Sequence, residues 1–531
     1  MANPIAISQT GLVRDRRSGA GIAQKLLSLL LLVIPAVPAY SQTELASERW
    51  FQVQSDNFIV ISKASSRATE RFVDELETWR KIAAWFVADS SPLPKAAVPN
   101  YVYLFSDAET LSEFTYAQAP AFSYPTPRAN YMALVLGDED SHAIARHHYA
   151  HFLIKNFADL RLPRWYEEGL AGYLDRMLID NGEAEFARLS QRNNELMLQI
   201  SETLSMERLL YRDESLASPR LIQIASLKSA SLLHYLLHAY EEEGYPDRRA
   251  QLDRYLELLL EGRDARFAYD LAFDVTTEQL DAEFHEYLRT SSRPRGDIDY
   301  GAVSDNSDYE AVRIAQDEIT LLLGELALNG GSPELAEQFF RASVDGEQAQ
   351  ARSYSGLGDA LRFQDLENMD QTIAGYFAQA RDMAPEDPYI ILDYGEYWEA
   401  ELTDCDKDYP LVQRQGILED IRVHFDRAMA LLPESPETHL ALGQLYLFPE
   451  EDWRRGVDAH ATAFALLPAD SFIMEQAVRY AIAADDYERA SRLIEEMAQP
   501  IHFFGEPEYV TNLRERLLRK RRNEPYDVCA E

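Results

Sequence analysis

Cysteine is scarce. Only Cys405 and Cys529 occur in 531 residues, which excludes a disulfide scaffold and a cysteine-rich metal site. An oxidising compartment would allow one bond between them, and a reducing one would leave two thiols. Basic charge is also short, with 51 Lys and Arg against 89 Asp and Glu and a formal charge of −38. Nucleic acid and anionic membranes both demand basic patches, so neither is an expected partner. The acidity reads as a solvated surface that keeps the chain soluble. The N-terminal apolar core, residues 26–34, is far shorter than the ~20 residues needed to span a bilayer. No low-complexity block interrupts the chain. At 46% hydrophobic residues it is globular, and its length suits two or more domains of roughly 100–200 residues each.

The short apolar core sits in "LLSLLLLVIPAVPA", after Arg14, Arg16, Arg17 and Lys25 and before small residues near Ala39. That order predicts a secretory signal over residues 1–39 that leaves no stable membrane anchor once cleaved. Pro35 and Pro38 disfavour a retained helix, and no cysteine lies nearby to carry a lipid. The expected destination lies across the inner membrane, in a bacterial periplasm.

Two rhythms follow. From Trp50, "NFIVIS", "YVYLF" and "NYMALVL" read as strands, with a helix between the first two in which Phe72, Leu76, Trp79, Ala83 and Phe86 recur at steps of four and three. After Ser141 the pattern is helical almost to residue 290, and Thr276 with Gln279 forms a capping box for its last helix. The polar stretch 291–308 reads as a linker. Over 309–520, "YSGLGDAL", "LDYGEYW" and "HLALGQLY" each place a small residue inside a helix, and Pro385, Pro433 and Pro468 close the partner helices. A tail, 521–531, ends the chain. The helical half resembles tetratricopeptide repeats, which stack into a solenoid whose concave face takes a protein or peptide.

The chemistry concentrates in "ARHHYAHFLIKNFADLRLPRWYEEGLAGYLD". A helix over 143–156 carries His147 and His151 one turn apart, so both imidazoles share a face. The chain breaks at "ADLRLP", and Pro163 suits the first turn of a second helix holding Glu167, Glu168, Gly169 and Gly172. A second pair at the same spacing, His234 and His238, has no suitable acidic segment nearby and reads as structural.

The run "RHHYAHFLI…LPRWYEEGLAGYL" resembles the peptidase-MA-like gluzincin metalloproteases, whose active helix reads His-Glu-x-x-His. The resemblance extends over residues 48–290 and is sharpest across about thirty of them. It implies an α+β zincin-like domain followed by the all-α repeats. It also implies zinc held by His147, His151 and Glu168, with "NYMALVL" as the edge strand that pairs with substrate. His148 stands where the family has its glutamate base. Histidine can take a proton but cannot supply negative charge beside a dication. As a fourth ligand it would close the site, and closed sites are structural. Three functions therefore stand: an exported pseudoenzyme that binds a protein or peptide, an active zinc peptidase using His148 as base, and a metal-free envelope protein.

Overall fold

The computed structural model describes residues 42–526, apart from 88–92, 115–120, 158–161, 181, 189–190, 212–217, 291–294, 300–308, 347–348, 367 and 499–505. The signal expected over 1–39, most of the linker expected over 291–308, and the end of the 521–531 tail lie outside the described residues.

Helix α1 (Gln42–Ser47) leads to strands β1 (Phe51–Gln54) and β2 (Phe58–Ser62). Helix α2 (Ser66–Val87) then buries Phe72, Leu76, Trp79 and Ala83, the face its spacing marks. Strand β3 (Asn100–Phe105), helix α3 (Ala108–Glu113), and strands β4 (Ala121–Pro125) and β5 (Asn130–Val135) follow. The next pair is α4 (Glu139–Phe157) and α5 (Arg164–Leu174). Beyond them the expectation of uninterrupted helix is corrected. Strands β6 (Leu178–Asp180) and β7 (Glu183–Phe186) intervene before helices α6 (Gln191–Ile200), α7 (Met206–Tyr211), α8 (Pro219–His238), α9 (Arg249–Leu260), α10 (Ala265–Ala272) and α11 (Thr277–Tyr287). The capping box of α11 is formed by Thr276 and Gln279 as its sequence predicts. The expected linker instead supplies strand β8 (Gly296–Asp299), which pairs with β7, and β9 (Val312–Arg313) follows it.

The larger sheet has the order β4-β5-β3-β2-β1-β9. Strands β2, β3 and β5 are mutually parallel in sequence of pairing, and β4, β1 and β9 attach antiparallel. Strand β5, "NYMALV", is therefore internal, and the edge beside it belongs to β4. The resemblance assigned that edge to β5. The short "AFSYP", ending in Pro125, occupies it instead, as a proline-bearing strand does most easily.

Alternation along the strands sends side chains to two separate cores. Phe58, Val60, Val102, Leu104, Met132 and Leu134 join the core beneath α2, α4 and α5. Ile61, Tyr103, Phe105, Tyr131, Ala133 and Val135 face the other way, into a core shared with Leu322, Leu326, Phe339 and Phe340. Those last four belong to helices α12 (Gln316–Asn329) and α13 (Pro333–Val344), beyond the expected linker. The Tyr103 hydroxyl donates to the Leu322 carbonyl at 3.1 Å, and Phe114 stacks on Phe339. The change of rhythm in the sequence thus falls inside a region whose hydrophobic core runs continuously across it.

The remaining chain is helical: α14 (Ala351–Phe363), α15 (Asp370–Met383), α16 (Pro388–Thr403), α17 (Leu411–Leu431), α18 (Pro436–Leu445), α19 (Val457–Leu466), α20 (Ser471–Ala483), α21 (Tyr487–Met497) and α22 (Glu508–Arg521). From α12 to α21 consecutive helices pack as hairpins. In three of these, a glycine of the first helix accepts a phenylalanine of the second. A Cβ on Gly324 would stand 2.7 Å from Phe340, on Gly358 2.7 Å from Phe377, and on Gly395 2.4 Å from Phe425. Nothing larger than glycine fits there without displacing the ring. No helix among the described residues is long and apolar enough to cross a membrane.

Candidate metal centre

Helix α4 is anchored by Tyr149, Ala150, Leu153 and Ile154 in the core, which leaves His147 and His151 turned together toward α5. Helix α5 is fixed from several sides. Trp79 donates through its indole nitrogen to the Leu174 carbonyl at 3.0 Å, and Trp165, Leu170 and Ala171 are buried. Its glycines let α8 approach. A Cβ on Gly169 would lie 3.0 Å from the Ser229 carbonyl oxygen, and one on Gly172 2.7 Å from the Ala230 Cβ. Pro163 occupies the cap of α5 in an extended conformation, one position earlier than the first-turn place expected for it.

This packing brings together all three residues expected as ligands. The donor atoms of His147, His151 and Glu168 lie within 4.8 Å of one another, a group that can hold a metal ion. The two Nε2 atoms are 3.2 Å apart, and His147 Nε2 is 3.6 Å from Glu168 Oε2. Two ligands at about 2.0–2.1 Å from a tetrahedral ion stand roughly 3.4 Å from each other, which both separations from His147 approach, within a set that spans up to 4.8 Å. His148 is not among the converging donors. Its ring lies beside that of His147, with centroids 5.9 Å apart.

Three further residues complete the centre, none singled out by spacing. Glu167 Oε1 lies 2.9 Å from His151 Nδ1, and Asp175 Oδ2 lies 3.7 Å from His147 Nδ1. Glu167 thus sits on the outer nitrogen of His151, the arrangement that fixes a tautomer and aims the inner nitrogen at a metal, and Asp175 stands at ion-pair distance behind His147. The Ser226 hydroxyl on α8 donates to Glu168 Oε2 at 2.6 Å and holds that carboxylate in place. Adjacent glutamates gave a signal for Glu167, but only the fold shows which of the two faces which histidine. Asp175 sits just past the end of α5, and Ser226 is 58 residues from its partner.

Charge is distributed unevenly over the three rings. Burial alone would lower the His147 pKa, but Asp175 and Glu168 outweigh it and raise it to about 9. Burial lowers His151, with Glu167 opposing. Burial and then the neighbouring His147 and His151 lower His148 to about 3, so its ring is neutral over the ordinary pH range. A metal would displace the proton from His147, because only the neutral ring can ligate.

The second histidine pair takes no part. His234 Nδ1 meets the Tyr287 hydroxyl at 3.0 Å, and His238 bridges the Tyr173 hydroxyl at 2.7 Å and Glu241 at 3.0 Å. Both are buried and tie helices together. No family model matches the sequence, and comparison with curated proteins finds no match.

Proposed function

We propose that this chain is an exported, zinc-binding protein of metallopeptidase-like design that holds a protein or peptide without efficiently cleaving it. The observation that carries the reading is the convergence of His147, His151 and Glu168 with a carboxylate behind each imidazole. Two imidazoles and one carboxylate suit zinc, and three protein ligands are the number found where a coordination position stays open. Bound there, zinc would supply a Lewis-acid centre. The chain's own residues orient and retain it: Glu167 and Asp175 through the histidines, Ser226 through Glu168. His148 occupies the base position of the gluzincins as a neutral ring, so the negative charge that glutamate brings there is missing. This is the ground for a pseudoenzyme rather than an active peptidase.

The glycine–phenylalanine seams of the three hairpins support the tetratricopeptide reading of 309–520, and with it a protein or peptide partner. Cys405 is disulfide-bonded, which agrees with an oxidising compartment such as the periplasm.

One observation favours the metal-free alternative. His147 can satisfy itself as a cation between Asp175 and Glu168. Elemental analysis of the full chain, purified without chelator, decides between the two. About one zinc per chain, lost in His151→Ala and in Glu168→Ala, is the expected result. Absence of stoichiometric metal from the wild type would leave the metal-free protein.

A further inference from the structure

Beside the metal centre, the first turn of α5 and the facing side of α8 enclose a narrow cleft. Arg164, Trp165, Glu168, Ile222, Ser226 and Ser229 line it. Arg164 is half-buried, and among the described residues it makes no hydrogen bond or ion pair. That is unusual in a chain with 89 acidic residues. Nearby arginines are paired: Arg146 with Glu75, Arg176 with Asp140 and Arg188 with Glu185. The charges of Glu168 and Glu167 reach Arg164 through space, but both carboxylates are hydrogen-bonded elsewhere, Glu167 with His151 and Glu168 with Ser226.

A second, independent observation lies in the same cleft. Ser229 is 1% exposed, and its hydroxyl has no hydrogen-bond partner among the described residues. Buried hydroxyls are nearly always hydrogen-bonded, so this one is a donor available to a group that enters the cleft. The start of α5 adds to this. Pro163 provides no side-chain cap, and the positive end of the helix dipole favours an anion.

We propose that this cleft receives a carboxylate of the bound peptide, with Arg164 as its counter-ion and Ser229 as a second donor. The guanidinium fork matches a carboxylate in geometry, and the apolar wall of Trp165 and Ile222 strengthens the pairing by excluding water. The recognised group is the side chain of an acidic residue or a free C-terminus. Selectivity arises at short range, since a net charge of −38 repels acidic peptides at a distance. In placing the peptide against the metal centre the inference rests on the function proposed above.

The test uses the full chain and three probes: acetyl-Ala-Glu-Ala-amide, acetyl-Ala-Gln-Ala-amide, and acetyl-Ala-Ala-Ala with a free C-terminus. Binding is followed by ligand-observed NMR, with metal content measured on the same samples. Wild type is expected to bind at least one carboxylate probe tenfold or more tightly than the glutamine probe. Whichever carboxylate probe wins identifies the source of the group. Arg164→Gln should bring all three within about twofold, Arg164→Lys should keep part of the preference, and Ser229→Ala should reduce it. Equal binding of all probes by the wild type overturns the proposal, as does an undiminished preference in Arg164→Gln. The wild-type comparison stands even where a variant fails to fold. An acid preference in a metal-free protein would sink the zinc reading and keep the cleft, and a metal-loaded protein without the preference would do the reverse.

Discussion

The guanidinium of Arg128, in the turn between β4 and β5, donates to Asp393 Oδ1 at 2.6 Å, 265 residues further along the chain. Its Nε donates to both oxygens of Glu437, and its guanidinium carbon stands 5.2 Å from the ring centre of Tyr389. One side chain thus clamps the edge of the sheet to helices α16 and α18. The two acids are almost fully buried, and losing the cation that pairs with them among the described residues would strand them. Arg128→Ala should destabilise the protein by about 3 kcal/mol. A urea melt that shifts by less than about 0.5 kcal/mol would show that the clamp is incidental.

The carboxylates behind the imidazoles should matter for metal retention although neither is a ligand. Glu167→Gln and Asp175→Asn each ought to weaken zinc binding roughly 10–100-fold while leaving about one site per chain. Competition titrations with a chromophoric chelator measure this. Unchanged affinity in both would mean that the rings are oriented by packing alone.

His148→Glu should create or raise peptidase activity. The three proposed ligands are in place, and a carboxylate at 148 would add both a proton acceptor and one negative charge. General acid–base catalysis is worth about 10²–10⁴-fold, enough to be measured on quenched-fluorescent peptides with and without chelator. Robust chelator-sensitive cleavage by the wild type, abolished in His148→Glu, would establish His148 as a working base and end the pseudoenzyme reading.

A chain truncated at Ser304 should aggregate rather than fold as a soluble unit. It would uncover Ile61, Tyr103, Phe105, Tyr131 and Val135 together, a face normally covered by α12 and α13. The linker-like composition of 291–308 by itself suggests the opposite outcome. A sharp, reversible thermal transition in the truncated chain would show that the sheet tolerates a solvated second face.

Acid should weaken the fold in part through His460, which is 5% exposed and stacked on Tyr480. Burial lowers its pKa to about 4, with the Gln476 contact opposing, against an unfolded value of 6.5. The unfolded chain therefore takes up a proton first as pH falls through 6.5, and stability declines down to about pH 4. The slope is at most about 1.4 kcal/mol per pH unit. His460→Phe keeps the stacking but not the titration, so its melting temperature should fall less between pH 7.5 and 5. Parallel declines in the two proteins would place the acid sensitivity elsewhere.

How much the sequence revealed depended on whether a signal was local. Helices α2, α4, α5 and α11 follow from periodicity and caps, and β2, β3 and β5 from compact apolar runs. His147, His151 and Glu168 follow from spacing within two helices and one resemblance. Strand β9 is two residues long, while β6 and β7 are short and carry acids, so their pairing comes from tertiary placement. Strand β4 was hidden by Pro125. The roles of Glu167, Asp175 and Ser226 depend on how α4, α5 and α8 cross, a distance no single stretch encodes. The shared core has no sequence signature, because alternation inside a buried strand reads as a plain apolar run, whichever partner covers each face.

That shared core also sets an order of events. A chain emerging N-terminus first exposes β1, β2, β3 and β5 long before α12 and α13 are available to seal them, and β9 joins the sheet only after residue 313 has appeared. Contacts such as that of Tyr103 with Leu322 close a loop of 219 residues, and loops of that size form slowly. Until they do, an aromatic sheet face stands open to other chains, the condition in which holding chaperones earn their use. Biogenesis of this protein should therefore be limited by its second half, even though the proposed metal ligands all lie in its first.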